Sequence, residues 1–131
     1  MQHFYCLWFH TLKLSEKFKY NLWKKVKSCQ KIYEGGEDFY RSLGIDYEKI
    51  QKIQESKQRL DNLKELYESL GSRNIIMTTI EDEDYPERLK SIDTPPIVFF
   101  LKGDIELVNW PSIAIVGARK CSEYGLSLIH I

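Results

Sequence analysis

The sequence contains little cysteine and no long apolar run. Its three cysteines, Cys6, Cys29 and Cys121, are odd in number and far apart, which excludes a disulfide framework and favours reduced, mostly buried thiols. No apolar stretch approaches the roughly 20 residues of a membrane-spanning helix. The first residues also lack the basic leader and the small-residue cleavage site of a signal peptide. We therefore expect a cytoplasmic protein without a membrane segment.

The sequence also lacks an excess of charge of either sign. Its 131 residues include 19 basic and 19 acidic side chains, and 43% of them are hydrophobic, too many for a disordered chain. Residues 1–31 contain seven lysines and one acid, whereas residues 32–70 and 71–131 each contain six basic and nine acidic residues. A lysine-rich amino-terminal end suits a polyanion-binding surface. Lysines that alternate with apolar residues are also typical of a solvated helix face, and we favour that interpretation.

Helical periodicity runs from His3 to Gly71. Apolar residues recur at helical spacing in Glu16–Lys27, after Ser15 as the N-cap, and the same spacing predicts helices over Asp46–Ile53 and Glu55–Leu70. Gly71 is the expected C-cap of the last helix. The pattern predicts a compact bundle of four or five short helices.

The pattern changes after Gly71. Short apolar runs predict strands over Asn74–Thr79, Ile97–Leu101 and Ser112–Val116, and Pro86 suits the first turn of a helix that reaches about Ile92. The change from helices to strand–helix–strand predicts a domain boundary near residue 71. We expect a helical domain over residues 1–71 and the beginning of an α/β domain over residues 72–125.

Three groups of side chains resemble chemical sites, and we interpret each as structural. The acids from Glu81 to Asp84 precede a helix, where they complement its dipole. His3, Cys6 and His10 share one helical face, but this face also carries aromatic residues and has no fourth ligand. Cys121 has no histidine base nearby in the sequence. We predict no metal site, no catalytic residue and no cofactor.

The most informative stretch begins with an apolar run that ends at Gly117. A glycine at the end of a strand lets backbone approach a phosphate closely, and free amides at the next helix start attract the anion. Arg119 would add a permanently charged, bidentate phosphate contact, with Gly117 and Ala118 offering backbone approach and Ser122 further support. The dinucleotide pattern Gly-x-Gly-x-x-Gly is absent, because Arg119 occupies its second glycine. The stretch therefore predicts phosphate recognition without a standard dinucleotide site.

Five short blocks occur in a fixed order: YPERL at 85–89, DTPP at 93–96, KGD at 102–104, IAIVGAR at 113–119 and SEYG at 122–125. Together they resemble the DNA-processing protein A family, also called DprA or Smf. The resemblance is strong over residues 74–125 and weaker over the helical half. It implies a small helical domain like a sterile-alpha-motif or helix-hairpin-helix module, followed by a Rossmann-like α/β domain that is truncated here.

The resemblance also implies a function. Members of this family bind single-stranded DNA and load the RecA recombinase onto it during natural transformation, and the resemblance implies a homodimer for the full-length protein and no enzymatic activity. It assigns the DNA backbone contact to Gly117, Ala118 and Arg119, with Ser122 in support. The family's turn is usually Gly-Ser-Arg, so Ala118 removes one hydroxyl donor. The helical half departs from a helix-hairpin-helix, because its first candidate turn, Leu12–Glu16, has no glycine.

Two other functions stay open. One is an enzyme or sensor of the related Rossmann-like group that recognises a nucleotide-derived ligand, which would need a further glycine-rich motif and a carboxylate. The other is a helical interaction module in which only residues 1–71 matter. A cooperative melting transition of residues 1–71 alone would favour the second alternative.

The final residues have an unusual sequence. Leu126–Ile131 (LSLIHI) corresponds to the in-frame translation of a transposase mosaic-end sequencing adapter. We therefore expect residues 126–131 to carry no biological function, and the α/β domain to be truncated before it completes a βαβ unit of roughly 30 residues. A polypeptide with only this part of the site is expected to bind single-stranded DNA weakly.

Overall fold

The computed structural model describes residues 2–120 and 122–124. Met1, Cys121 and residues 125–131 therefore lie outside the described part of the chain. The described elements, in chain order, are α1 (Gln2–Thr11), α2 (Glu16–Val26), α3 (Cys29–Glu34), α4 (Glu37–Ser42), α5 (Tyr47–Ser56), α6 (Asp61–Ser72), β1 (Ile76–Thr79), α7 (Glu87–Lys90), β2 (Val98–Leu101) and a 3-10 helix at Ile105–Asn109.

The amino-terminal half is helical, as the periodicity predicts. The Ser15 side chain accepts a hydrogen bond from the Phe18 amide at 3.2 Å, which confirms Ser15 as the N-cap of α2. Ser28 caps α3 and Asp46 caps α5 in the same way. Each cap satisfies an amide that the first turn of a helix leaves without a partner.

The predicted long helix over Glu55–Leu70 is wrong, because α5 continues to Ser56 and α6 begins only at Asp61. The amides of Lys57 and Gln58 bond three residues back, at 3.2 and 3.1 Å, which tightens and ends the helix. The Lys57 ammonium then donates to the Gly35 carbonyl at 2.9 Å. The prediction of Gly71 as a C-cap is also wrong, since α6 includes Gly71.

The two strands form an antiparallel pair. Their register places Ile76 opposite Leu101 and Thr79 opposite Val98. The predicted order of strand, helix and strand is confirmed, with α7 shorter than expected. An antiparallel pair is not itself a parallel βαβ unit, so the Rossmann-like part of the predicted fold stays a prediction.

The predicted third strand, Ser112–Val116, is wrong. The structure has no strand there, and residues 111–118 form no regular element. Ile113 and Val116 are both 90% exposed. An apolar run becomes a strand only when a neighbouring strand pairs with it and a layer covers it, and neither β1 nor β2 takes that role.

One hydrophobic core joins the helices to the two strands. Helix α1 lies at its centre, where Leu7, Trp8 and Phe9 are buried, and it contacts α3, α6 and both strands. Met77 and Val98 bring the strands into the same cluster of buried side chains. The boundary near residue 71 stays a prediction. None of the helices in the described residues has both the length and the apolar character needed to span a bilayer.

Candidate nucleic-acid interface

The predicted phosphate-binding turn lies in an exposed segment beyond β2. Gly117, Ala118 and Arg119 are all exposed, as are Lys120 and Ser122. The chain places the first three side by side, with Ser122 three residues further on. A Cβ atom built on Gly117 meets nothing within 4 Å, so packing does not explain the glycine. The turn therefore presents its backbone and its guanidinium to solvent.

One hydrogen bond between described residues connects this segment to the folded part of the chain. Arg88 of α7 donates from Nη1 to the Ser112 hydroxyl at 2.9 Å. Arg88 belongs to the YPERL block, as does Tyr85. The Tyr85 hydroxyl donates to the Pro96 carbonyl at 2.8 Å, and burial raises the pKa of this phenol to about 12. The YPERL block therefore stabilises the β1–β2 connection and positions the start of the exposed segment.

Tyr124 lies five residues beyond Arg119, and an aromatic ring at this position suits either packing or stacking on a base. Its side chain is 74% exposed in the structure. Aromatic faces of this kind are what single-strand binding proteins use beside a basic groove.

The lysine-rich amino-terminal segment divides into one structural lysine and several exposed ones. Lys19 is only 2% exposed, and its ammonium donates to the His10 carbonyl at 2.8 Å and pairs with Glu16 at 2.6 Å. The other six lysines of residues 1–31 are exposed. Two of them lie over a stacked aromatic pair on α2, Lys24 over Tyr20 and Lys27 over Trp23.

Two surface grooves lie in the helical half, away from the predicted turn. One, of about 460 Å³, lies between the end of α1 and the α5–α6 connection, and the other, of about 260 Å³, adjoins it. The larger groove includes three basic side chains, Lys13, Lys52 and Arg59. Lys52 already pairs with Glu48 at 2.9 Å. Neither groove is lined by a described residue of the 117–122 turn.

The structure separates the three residues of the suspected metal trio. The His3 ring pairs with Asp82 at 2.7 Å, and His10 lies against Phe100. Cys6 points instead into the core, next to Cys29 and Glu81. His3, Cys6 and His10 therefore do not converge on one point.

The acids Glu81 and Asp82 do not act at a helix start as predicted, since α7 begins only at Glu87. Glu81 accepts hydrogen bonds from Gln2, Trp23 and the Cys29 amide. Burial alone would raise the pKa of Glu81, but these donors outweigh it and hold the pKa below its ordinary value. Glu81 is thus a tertiary contact between the turn after β1 and three helices.

The sequence alone does not identify Cys29 and Glu81 as partners of Cys6. Cys29 and Glu81 are 52 residues apart in the chain, and no local spacing marks such a pair. The acid run at residues 81–84 was visible, but nothing in it indicates which acid turns inward. Only the tertiary structure brings the three side chains together.

An exposed glycine–arginine turn, an adjacent lysine and a lysine-bearing helical face are features of proteins that bind a nucleic-acid backbone. The comparisons with known proteins agree with this class. Residues 76–131 match the family model of DNA recombination-mediator protein A. This segment is therefore similar to the DNA recombination-mediator protein A family, in agreement with the resemblance read from the sequence.

Two curated relatives carry the name DNA processing protein DprA. The protein of Streptococcus pneumoniae is 40% identical over 52 residues, which cover 40% of this chain and 18% of that protein. The protein of Bacillus subtilis is 34% identical over 80 residues, which cover 60% of this chain and 26% of that protein. The chain thus aligns with only about a fifth to a quarter of each relative's length. No solved structure matches the chain.

Proposed function

We propose that this chain acts in DNA recombination as part of a single-stranded-DNA-binding mediator that loads the RecA recombinase. The observation that carries the proposal is the family match over residues 76–131, because this segment contains the exposed Gly117–Arg119 turn. The names of the two relatives, DNA processing protein DprA, support the same function. Association with RecA and homodimer formation belong to this proposal.

The chemistry of the turn suits a phosphate backbone rather than a base. Arg119 offers a planar guanidinium that can donate two parallel hydrogen bonds to one phosphate. Gly117 and Ala118 carry little or no side chain, so the backbone amides can approach the same group. Contacts of this kind fix position without reading sequence, and their strength falls as the salt concentration rises.

An NMR titration tests the proposal, because it detects weak binding residue by residue. The isotopically labelled chain is titrated with an oligothymidylate at low salt, and we expect shifts concentrated on the amides of Gly117, Ala118 and Arg119. Added salt should reverse these shifts. Arg119→Ala should weaken binding by a similar factor for oligonucleotides of different sequence.

Lys102→Ala is the matched control. Lys102 is also an exposed cation outside the helical half, but it lies 15 or more residues before the turn, so this variant should keep most of the affinity. Equal binding by Arg119→Ala and the unaltered chain would refute the assignment. Shifts confined to residues 2–71 would favour the helical interaction module instead.

A further inference from the structure

Three metal-ligating side chains from distant parts of the sequence meet beneath the start of α1. They are Cys6 of α1, Cys29 at the first position of α3, and Glu81 in the turn after β1. The two sulfur atoms and a carboxylate oxygen all lie within 4.8 Å of one another. Both thiols are fully buried, and Glu81 is half-buried.

Three N–H donors hold the Glu81 carboxylate in place. Oε1 of Glu81 accepts from Nε1 of Trp23 at 2.9 Å and from the Cys29 amide at 2.6 Å. Oε2 accepts from the side-chain amide of Gln2 at 2.9 Å. Metal-binding carboxylates are oriented by outer hydrogen bonds of this kind, which fix the ligand before the ion arrives.

The distances fit a small tetrahedral ion. Zinc binds sulfur at about 2.3 Å and carboxylate oxygen at about 2.0–2.2 Å, so tetrahedral geometry places two such ligands about 3.4–3.8 Å apart. The three ligand atoms therefore need to move by about 1 Å or less towards a common centre. Two sulfurs and one oxygen also select thiophilic ions and exclude Mg²⁺ and Ca²⁺, which prefer oxygen ligands.

We infer that Cys6, Cys29 and Glu81 form a binding site for a thiophilic divalent cation of the zinc class. A solvent molecule would complete the tetrahedron as the fourth ligand. On binding, each thiol gives its proton to solvent and becomes a thiolate. Two thiolates, one carboxylate and the ion together carry a net charge of −1, next to a chain segment, residues 1–31, that carries seven lysines and one acid.

Glu81 is the least buried of the three ligands, so the ion would enter from its side. The hydrogen bond from Gln2 to Glu81 is exposed, unlike the two bonds to Oε1. Displacing the Gln2 amide frees a lone pair on Oε2 without opening the core. A bound ion would join α1, α3 and the turn after β1, and so would stabilise the folded chain in proportion to its concentration.

A cobalt titration of the reduced 131-residue chain tests the site. Co²⁺ bound by thiolates gives a charge-transfer absorption, and a tetrahedral site gives intense visible bands. We expect one Co²⁺ per chain, displaced by Zn²⁺. Cys6→Ser and Cys29→Ser should each remove at least half of the charge-transfer absorption. Cys121→Ser is the matched control, because it removes the third thiol of the chain and should leave the absorption unchanged.

Glu81→Gln keeps the inference testable if the buried cysteine variants fail to fold. This variant retains both thiols but loses the anionic oxygen ligand, so it should bind Co²⁺ at least about 10-fold more weakly, the smallest loss seen when only an outer partner of a ligand is removed. Circular dichroism confirms which variants remain folded. The absence of charge-transfer absorption in the reduced chain, or its survival in folded Cys29→Ser, would overturn the inference. A Cys6–Cys29 disulfide in the purified chain, with no Co²⁺ binding after reduction, would overturn it in favour of a redox pair.

Discussion

Apolar side chains are mostly buried or half-buried in residues 2–101 and mostly exposed in residues 102–120. In the first region α1 is buried among other helices and both strands, and Ile32, Tyr40 and Ile53 are completely buried. In the second region Ile113, Ile115 and Val116 are at least 76% exposed. The same types of side chain therefore contribute to a core in one region and face solvent in the other.

The residues that carry the family resemblance are largely different from the residues that stabilise the fold. The IAIVGAR block, which contributes to the recognition of the family, lies in the region with the least packing. The contacts that hold the folded region together, such as those of Glu81 and Lys57, belong to none of the five blocks. The YPERL block is an exception, since Tyr85 is buried and hydrogen-bonded.

Truncating one isoleucine in each region should give the largest contrast. Ile53→Ala removes a completely buried side chain and leaves a cavity, so the free energy of unfolding should fall by about 2–5 kcal/mol. Ile113→Ala removes a side chain that is 90% exposed, and the change should stay within about 0.5 kcal/mol. Urea denaturation followed by circular dichroism measures both. A loss of more than 1.5 kcal/mol for Ile113→Ala would show that residues 102–120 are packed after all.

A smaller contrast in the free energy of unfolding is expected between two acids after β1, Glu81 and Glu83. Glu81→Gln replaces a carboxylate that accepts three N–H donors by an amide with one oxygen, so the free energy of unfolding should fall by about 1–3 kcal/mol. Glu83→Gln, at an exposed position two residues away, should change it by less than about 0.5 kcal/mol. The measurements are made with a chelator present, so that metal binding does not contribute. Similar losses for both variants would contradict the role of Glu81 as a tertiary contact.

The sequence predicted the features that depend on nearby residues. Ser15 caps α2 because its hydroxyl reaches an amide three residues away, and the positions of β1 and β2 follow from short apolar runs. The end of α5 was not predictable in this way, because Lys57 bonds to Gly35 and to the Tyr40 hydroxyl, both far away in the sequence. Glu81 likewise contacts residues 52 to 79 positions away.

The candidate phosphate site also depends on contacts that a short sequence pattern does not reveal. The apolar run before Gly117 has the composition of a buried strand, and that composition led to the wrong prediction of a strand over Ser112–Val116. A strand is defined by a partner that supplies hydrogen bonds, and a short sequence pattern does not reveal whether that partner exists. The roles of Gly117, Ala118, Arg119 and Ser122 stay predictions, supported by the family match to this segment.

The smallest effect is expected from the pH dependence of His10, at the edge of the packed region. Burial, and then the charge of Lys19, lower the pKa of His10 below its ordinary 6.5, and Nδ1 is buried with no hydrogen-bond partner among the described residues. As the pH falls below 6.5, the unfolded chain therefore takes up a proton that the folded chain resists, and stability is lost from that pH downward. His10→Phe keeps an aromatic ring against Phe100 and removes this proton uptake. Urea midpoints measured above and below pH 6.5 should thus fall more for the unaltered chain than for His10→Phe, while the carboxylates affect both equally. Equal falls in the two urea midpoints would mean that the folded chain takes up a proton at His10 as readily as the unfolded chain does.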